Sequence, residues 1–211
     1  MTANLRQVAV LALVAALAAA AIALVQLATG DRIVAARRAA EQHTLLTLLP
    51  STPDTALQLE ERLAPADADL PGWAQPQRVF IARRGAEPVA AILPASVRGY
   101  GGAIRLLVGL DTDGRITGLR VVSHRETAGL GDRMEPGKSD WLRQFQGHSL
   151  QSTPSPKWEV KREQGEFDQL TGATVTSRAV IAALRETLDY FAAHRAELMA
   201  ATTAGETTHE R

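Results

Sequence analysis

The sequence predicts an α+β protein: one N-terminal transmembrane helix followed by one domain with an antiparallel sheet and flanking helices. Three observations carry this reading. Residues 8–28 form an uncharged apolar run, residues 78–124 hold four β-branched, strand-like runs separated by turn signals, and residues 177–199 carry an amphipathic stripe at helical spacing.

Residues 1–7 are a short N-terminus ahead of "VAVLALVAALAAAAIALVQLA", whose 21 positions (8–28) are interrupted by a single polar residue, Gln26. At the helical rise such a run spans roughly 30 Å of hydrocarbon, one crossing. A cleaved signal peptide is the alternative, with Arg6 in its basic region and small residues at Ala18 to Ala21. Its apolar stretch is normally about 7 to 15 residues, so a retained anchor is the better reading. Local charge favours a cytoplasmic flank after the span, because Arg32, Arg37 and Arg38 outnumber Arg6.

Beyond the anchor, Asp31 to Leu49 has recurring apolar positions and few breakers and reads as a helix ended by Pro50. The rest of the membrane-proximal region 29–76 contains Pro50, Pro53, Pro65, Pro71 and Pro76 and reads as an irregular connection. The folded domain is assigned to 77–199. "RVFIA" (78–82), "PVAAIL" (88–93), "AIRLLVGL" (103–110) and "RITGLRVVSH" (115–124) read as strands, and "DTDG" (111–114) as the hairpin turn joining the last two. A calcium loop is excluded there, because the later ligands of an EF-hand are missing. "SDWLRQF" (139–145) reads as a short N-capped helix and "KWEVKREQGEFD" (157–168) as a further hairpin. The final helix places Val180, Leu184, Leu188 and Phe191 on one stripe, and 200–211 is a disordered tail.

Composition narrows the function. Lys+Arg and Asp+Glu are equal at 23 each, so no excess of basic charge is available for nucleic acid. The chain has no cysteine, which removes disulfides, thiolate nucleophiles and thiolate metal sites. Redox chemistry would need a borrowed cofactor.

Two loops carry candidate chemistry. In "FDQLTGATVTSRAV" (167–180), Thr171, Thr174, Thr176 and Ser177 crowd around Gly172 and Ala173, just before the last helix. One of these hydroxyls can simply cap the helix; alternatively, the helix start can hold a phosphate on its unpaired amides. In "SHRETAGLGDRM" (123–134), Glu126 and Thr127 supply polar groups beside Gly129, the apolar Leu130 and Gly131, either as a structural turn or as one wall of a site for a flat aromatic ligand. His124 beside Glu126 is read as surface, and no metal site is expected.

"GYGGAIRLLVGLDTDGRITGLRV", "HRETAGLGDRM", "KSDW" and "FDQLTGATVTSRAV", behind an N-terminal anchor, together resemble the G subunit of the Rnf (Rsx) electron transport complex. That family of FMN-binding-domain proteins is also similar to the C subunit of the sodium-pumping NADH:quinone reductase. The resemblance covers most of the chain and is weakest in the proline-rich segment and the tail. It implies FMN attached through its phosphate to a threonine by a dedicated flavin transferase that uses FAD as donor. The family pattern is Asp, two variable residues, Ser or Thr, Gly, Ala, Thr. Asp168, Thr171, Gly172, Ala173 and Thr174 satisfy it, so Thr174 is the implied acceptor.

By the same resemblance Asp168 serves transferase recognition. Gly172, Ala173 and Thr176 belong to the cofactor loop with Thr171, and Glu126, Thr127, Gly129, Leu130 and Gly131 form one wall of the ring site. The implied function is an electron carrier in a redox-driven ion translocase of the bacterial inner membrane, with no independent catalytic activity. The implied partners are the other subunits, including the second covalent flavoprotein, the D subunit. The soluble domain would face the periplasm, against the local charge count. The alternatives are the quinone-reductase paralogue and, from another class, an anchored extracytoplasmic binding or scaffold module without flavin.

Overall fold

The structure, a computed structural model, describes residues 45–50, 57–64, 66 and 75–200, with isolated helical positions at 7, 11, 12, 14–16, 18 and 19. Most of the expected span at 8–28 and most of the helix expected over 31–49 therefore lie outside the described residues, as do 201–211. Among the described residues no helix is long and apolar enough to cross a membrane. The chain divides into two compact units, residues 1–46 and 47–211.

The second unit is built on a five-stranded antiparallel meander, β1 Gln58–Ala64, β2 Gln77–Arg84, β3 Glu87–Arg98, β4 Ala103–Asp111 and β5 Ile116–Ser123, in which each strand pairs with its neighbour in sequence. Alternation selects the first face: Val79 and Ile81, Ala91, Leu93 and Ala95, and Ile104, Leu106, Val108 and Leu110 are all buried there. The last helix, α1 Thr174–Met199, lays Val180, Ile181, Leu184, Leu188 and Phe191 against this face, mainly over β3. The β4–β5 turn forms as expected. Gly114 adopts φ +76°, and Asp111 Oδ1 accepts from the amides of Asp113 (2.8 Å) and Arg115 (2.9 Å).

Two expectations are corrected. The proline-rich stretch read as irregular contains β1, paired with β2 from Gln58↔Arg83 to Ala64↔Gln77. The segment 157–168 is no hairpin. It coils through 3-10 turns at Ser155–Lys157 and Lys161–Glu163 and closes with a single parallel bridge, Val160↔Phe167. Its alternating apolar residues point into an aromatic cluster in which Phe167 lies 4.9 Å from Trp158 and 4.7 Å from Phe145, centroid to centroid. The "SDWLRQF" helix is one 3-10 turn, Trp141–Phe145, entered through a bond from the Trp141 amide to Ser139 Oγ at 3.2 Å.

The second face of the sheet meets the chain itself. Gly109 and Gly118 are cross-strand partners in line with Ile92 of β3, and together they leave a notch. A Cβ on Gly109 would stand 2.2 Å from Leu48 O, and one on Gly118 2.8 Å from Leu48 Cα. Leu48 and Leu49 are buried, and Thr117 Oγ1 donates to Leu48 O at 2.6 Å. Residues 47–50 thus form a strap that only a glycine pair admits.

Candidate functional site

The two loops singled out in the sequence come together at the start of α1. Gly172 adopts φ +80°, a left-handed turn that glycine enters without a Cβ penalty, and a Cβ there would meet Leu130 Cδ2 at 2.8 Å. Leu130 is itself 41% exposed, so it caps the glycine and still presents an apolar side chain to solvent. Its loop is wound tightly on one atom: the amides of Leu130, Gly131 and Asp132 all point at Thr127 O, at 3.2, 3.1 and 3.4 Å. Gly129 supplies the positive φ, +78°, that the turn requires.

The four hydroxyls divide their work, and none caps the helix. The N-cap residue is Ala173, with no side-chain cap bond and no acidic residue in the first turn. Ser177 Oγ ties the loop down, accepting from Leu170 N (2.8 Å) and donating to Ala173 O (3.0 Å). Thr176 is buried and its hydroxyl donates to Glu126 Oε2. Thr171 is exposed. Thr174, the first helical residue, is partly exposed, and its hydroxyl has one long contact, 3.4 Å, to Gln169 Oε1. An uncapped helix start without carboxylates, bearing a reachable hydroxyl, has the donor set and electrostatic sign that a phosphate needs.

Glu126 has a different place from the one its sequence suggests. It is expected in the wall of a ring site, but it is 8% exposed and its carboxylate points inward. Oε1 accepts from Gly101 N (2.8 Å), and Oε2 from Tyr100 N (3.3 Å) and Thr176 Oγ1. It therefore joins the β3–β4 turn, its own loop and the first turn of α1. Backbone closeness is why that turn is glycine-rich: a Cβ on Gly101 would lie 2.0 Å from Arg125 O, and one on Gly99 2.5 Å from Glu126 Oε1. The "GYGG" string is the available signal, but it does not say which side chain the glycines make room for.

A charged relay props the loop from below. The Glu126 amide donates to His124 Nδ1 at 3.1 Å, which leaves the ring proton on Nε2 to be given to Glu135 Oε1 at 2.6 Å. Lys138 Nζ then bridges Glu135 Oε1 (3.0 Å) and Asp132 Oδ2 (2.8 Å). His124 and, next, Lys138 hold the Glu135 carboxyl below its ordinary value; the Lys138 hydrogen bond does the same for Asp132, and the two carboxylates raise Lys138.

Asp168 is exposed and paired with Lys161 at 2.7 Å. Its backbone is fixed from the 3-10 turn: Trp141 Nε1 donates to Asp168 O at 2.6 Å, and the Asp168 amide donates to Gln144 Oε1 at 2.7 Å. Its carboxylate stands on an anchored backbone, available at the surface.

Residues 99–189 match the FMN-binding domain family. The chain is 43% identical over 197 residues to the G subunit of the ion-translocating oxidoreductase complex of Pseudomonas aeruginosa, covering 93% of this chain and 92% of that one. It is 37% identical to the corresponding G subunit of Shewanella loihica over 195 residues, covering 92% of each. Among solved structures, the C subunit of the Na(+)-translocating NADH-quinone reductase from Parabacteroides distasonis superposes with a TM-score of 0.47 at 21% identity, over 64% of this chain and 77% of that one.

Proposed function

Because the chain belongs to the family of the G subunit of the ion-translocating oxidoreductase complex, we propose that it carries FMN covalently on Thr174 and passes electrons within such a complex. Its cofactor is FMN, and its activity is that of one component of a redox-driven translocase. The observation that carries the covalent reading is the position of Thr174, the last residue of the Asp168–Thr174 motif. It opens a helix whose first turn is uncapped, on a partly exposed residue whose hydroxyl has one long contact, to Gln169 Oε1.

In this reading Thr174 Oγ would take the flavin-bearing phosphate of FAD, giving up its proton to a base on the transferase while the pyrophosphate bond breaks and AMP leaves. The first-turn amides of α1 stabilise the phosphodiester charge. Asp168 offers the transferase a surface carboxylate whose backbone is clamped by Trp141 and Gln144. Leu130 supplies an apolar surface against Gly172 of the acceptor loop, and Gly131, where a Cβ would meet Glu126 Cβ at 2.8 Å, lets the loop close on Glu126. Glu126 and Thr176 act from inside, setting the distance between the two loops. Bound FMN supplies the electron-accepting ring; the protein fixes its place and surroundings. The reading includes anchorage by residues 8–28 in the bacterial inner membrane, a periplasmic domain, and partners that include the D subunit and the transferase.

The test is a denaturing gel viewed under ultraviolet light after co-production with a flavin transferase, followed by peptide mass spectrometry. A fluorescent wild-type band, a dark Thr174→Val band of normal folding, and the mass of FMN less one water on Thr174 are expected. A fluorescent Thr174→Val band would move the acceptor elsewhere.

A further inference from the structure

The second face of the sheet divides into a covered half and an open half. The covered half ends at the row Ile92, Gly109 and Gly118, where the strap lies. Moving toward the β3–β4 turn, the next row on this face is Pro94, Leu107 and Arg120, then Ser96 and Arg105, then Arg98 and Ala103. Each row is about 7 Å further along the strands. Arg98, Arg105 and Arg120 are all exposed and, among the described residues, have no ion-pair partner; Arg84, Arg115, Arg125, Arg133, Arg162 and Arg185 likewise have none, so what sets these three apart is that they share one sheet face. Glu135, the carboxylate that shares a surface pocket with Arg120, is engaged by His124 and Lys138. Val122, on the same face beside Arg120, is 58% exposed. In a chain of zero formal charge, three such guanidinium groups are gathered on one sheet face.

Residues 47–50, the first of the second unit, lie on that same face, where the Leu48 strap crosses it. We propose that this open half rests on anionic phospholipid headgroups, with Arg98, Arg105 and Arg120 engaging lipid phosphates. The helix side of the sheet then faces away from the bilayer. The inference rests on the proposed anchorage by residues 8–28. Guanidinium groups pair with phosphate in bidentate fashion, and each basic residue near an anionic surface favours the bound orientation about fivefold. The strap and the arginines are independent observations that select the same face.

The cysteine-free chain permits a direct test with the full-length protein. Val122→Cys, on the proposed contact face, and Ala192→Cys, exposed on α1, are each labelled with a fluorophore. The labelled proteins are reconstituted in phosphatidylcholine vesicles with or without phosphatidylglycerol, with a small fraction of lipids carrying headgroup nitroxides. The label at 122 is expected to be quenched at least twofold more than that at 192 when phosphatidylglycerol is present. The difference should shrink at about 0.5 M salt and on combining Arg98→Gln, Arg105→Gln and Arg120→Gln, with melting unchanged. An excess at 122 that is as large in neutral vesicles as with phosphatidylglycerol, no excess at 122 with phosphatidylglycerol, or indifference to the arginine substitutions overturns the proposal. So does quenching that appears only when the other subunits are added, which assigns the face to an acidic protein surface. Failure of the chain to float with vesicles at all rejects the anchorage instead, and flavin loading is read separately on the gel.

Discussion

At the residue scale, the site turns on threonines that look interchangeable in sequence and are not. Thr174 is a reachable hydroxyl, whereas Thr176 is buried and spends its proton on Glu126. Thr176→Val should keep the acceptor yet lower stability by about 1–3 kcal/mol in urea unfolding, since a buried carboxylate loses a donor. Gly172→Ala should cost about 1–3 kcal/mol by the same measurement, because it forces a left-handed residue and drives a Cβ against Leu130. The relay below the loop adds a pH dependence. Asp132 and Glu135 have lowered values, so their contribution is present above the ordinary carboxylate range and lost as pH falls through those lowered values. Lys138 is raised, so its contribution holds below its ordinary value and is lost only as pH climbs past the raised one. Lys138→Met should therefore melt earlier than wild type at neutral pH, with the difference closing as pH falls through the lowered values of Asp132 and Glu135. The motif around Thr174 is legible as a string. The inward turn of Glu126 is not, because only the fold brings residues 100, 126 and 176 together.

At the element scale, the strands with alternating β-branched residues and the long stripe of α1 are readable because one face of each is buried in a single core. β1 escapes notice because it is an edge strand, "QLEERLA", whose charges suit an exposed edge and hide the alternation. The segment 157–168 misleads for the opposite reason. It alternates like a strand, but the bonds from Lys161 N to Phe167 O and from Phe167 N to Glu159 O coil it around its own backbone. The strap is invisible in sequence, since an isolated Gly109 and Gly118 announce close approach without naming what approaches. Gly109→Val should expel it: limited proteolysis is expected to cut within residues 45–50 faster than in wild type, with a lower melting temperature. Unchanged cleavage would mean that the notch tolerates a side chain.

At the scale of the whole molecule, the strap belongs to the second unit, and this bears on where the chain can be cut. Deleting residues up to 46 should release a domain that melts like the parent, while deleting up to 56 should leave the Ile92 row uncovered and lower the melting temperature by several degrees. Equal melting of the two would deny the strap any structural weight. The family is recognisable because its motifs fall in the loops that meet at α1, whereas the anchor is read from 8–28, most of which lies outside the described residues. The order of the elements has one more consequence, in the time domain. Every strand pairs with its predecessor, so the meander can assemble progressively as the chain lengthens, but Glu126 waits for a hydroxyl 50 residues downstream. Until α1 docks, Glu126 lacks the Thr176 hydroxyl and has only the Tyr100 and Gly101 amides to pair with. On the proposed reading, a transferase that reads the finished loop would modify only molecules in which α1 has docked, so attachment of the flavin would record that folding is over.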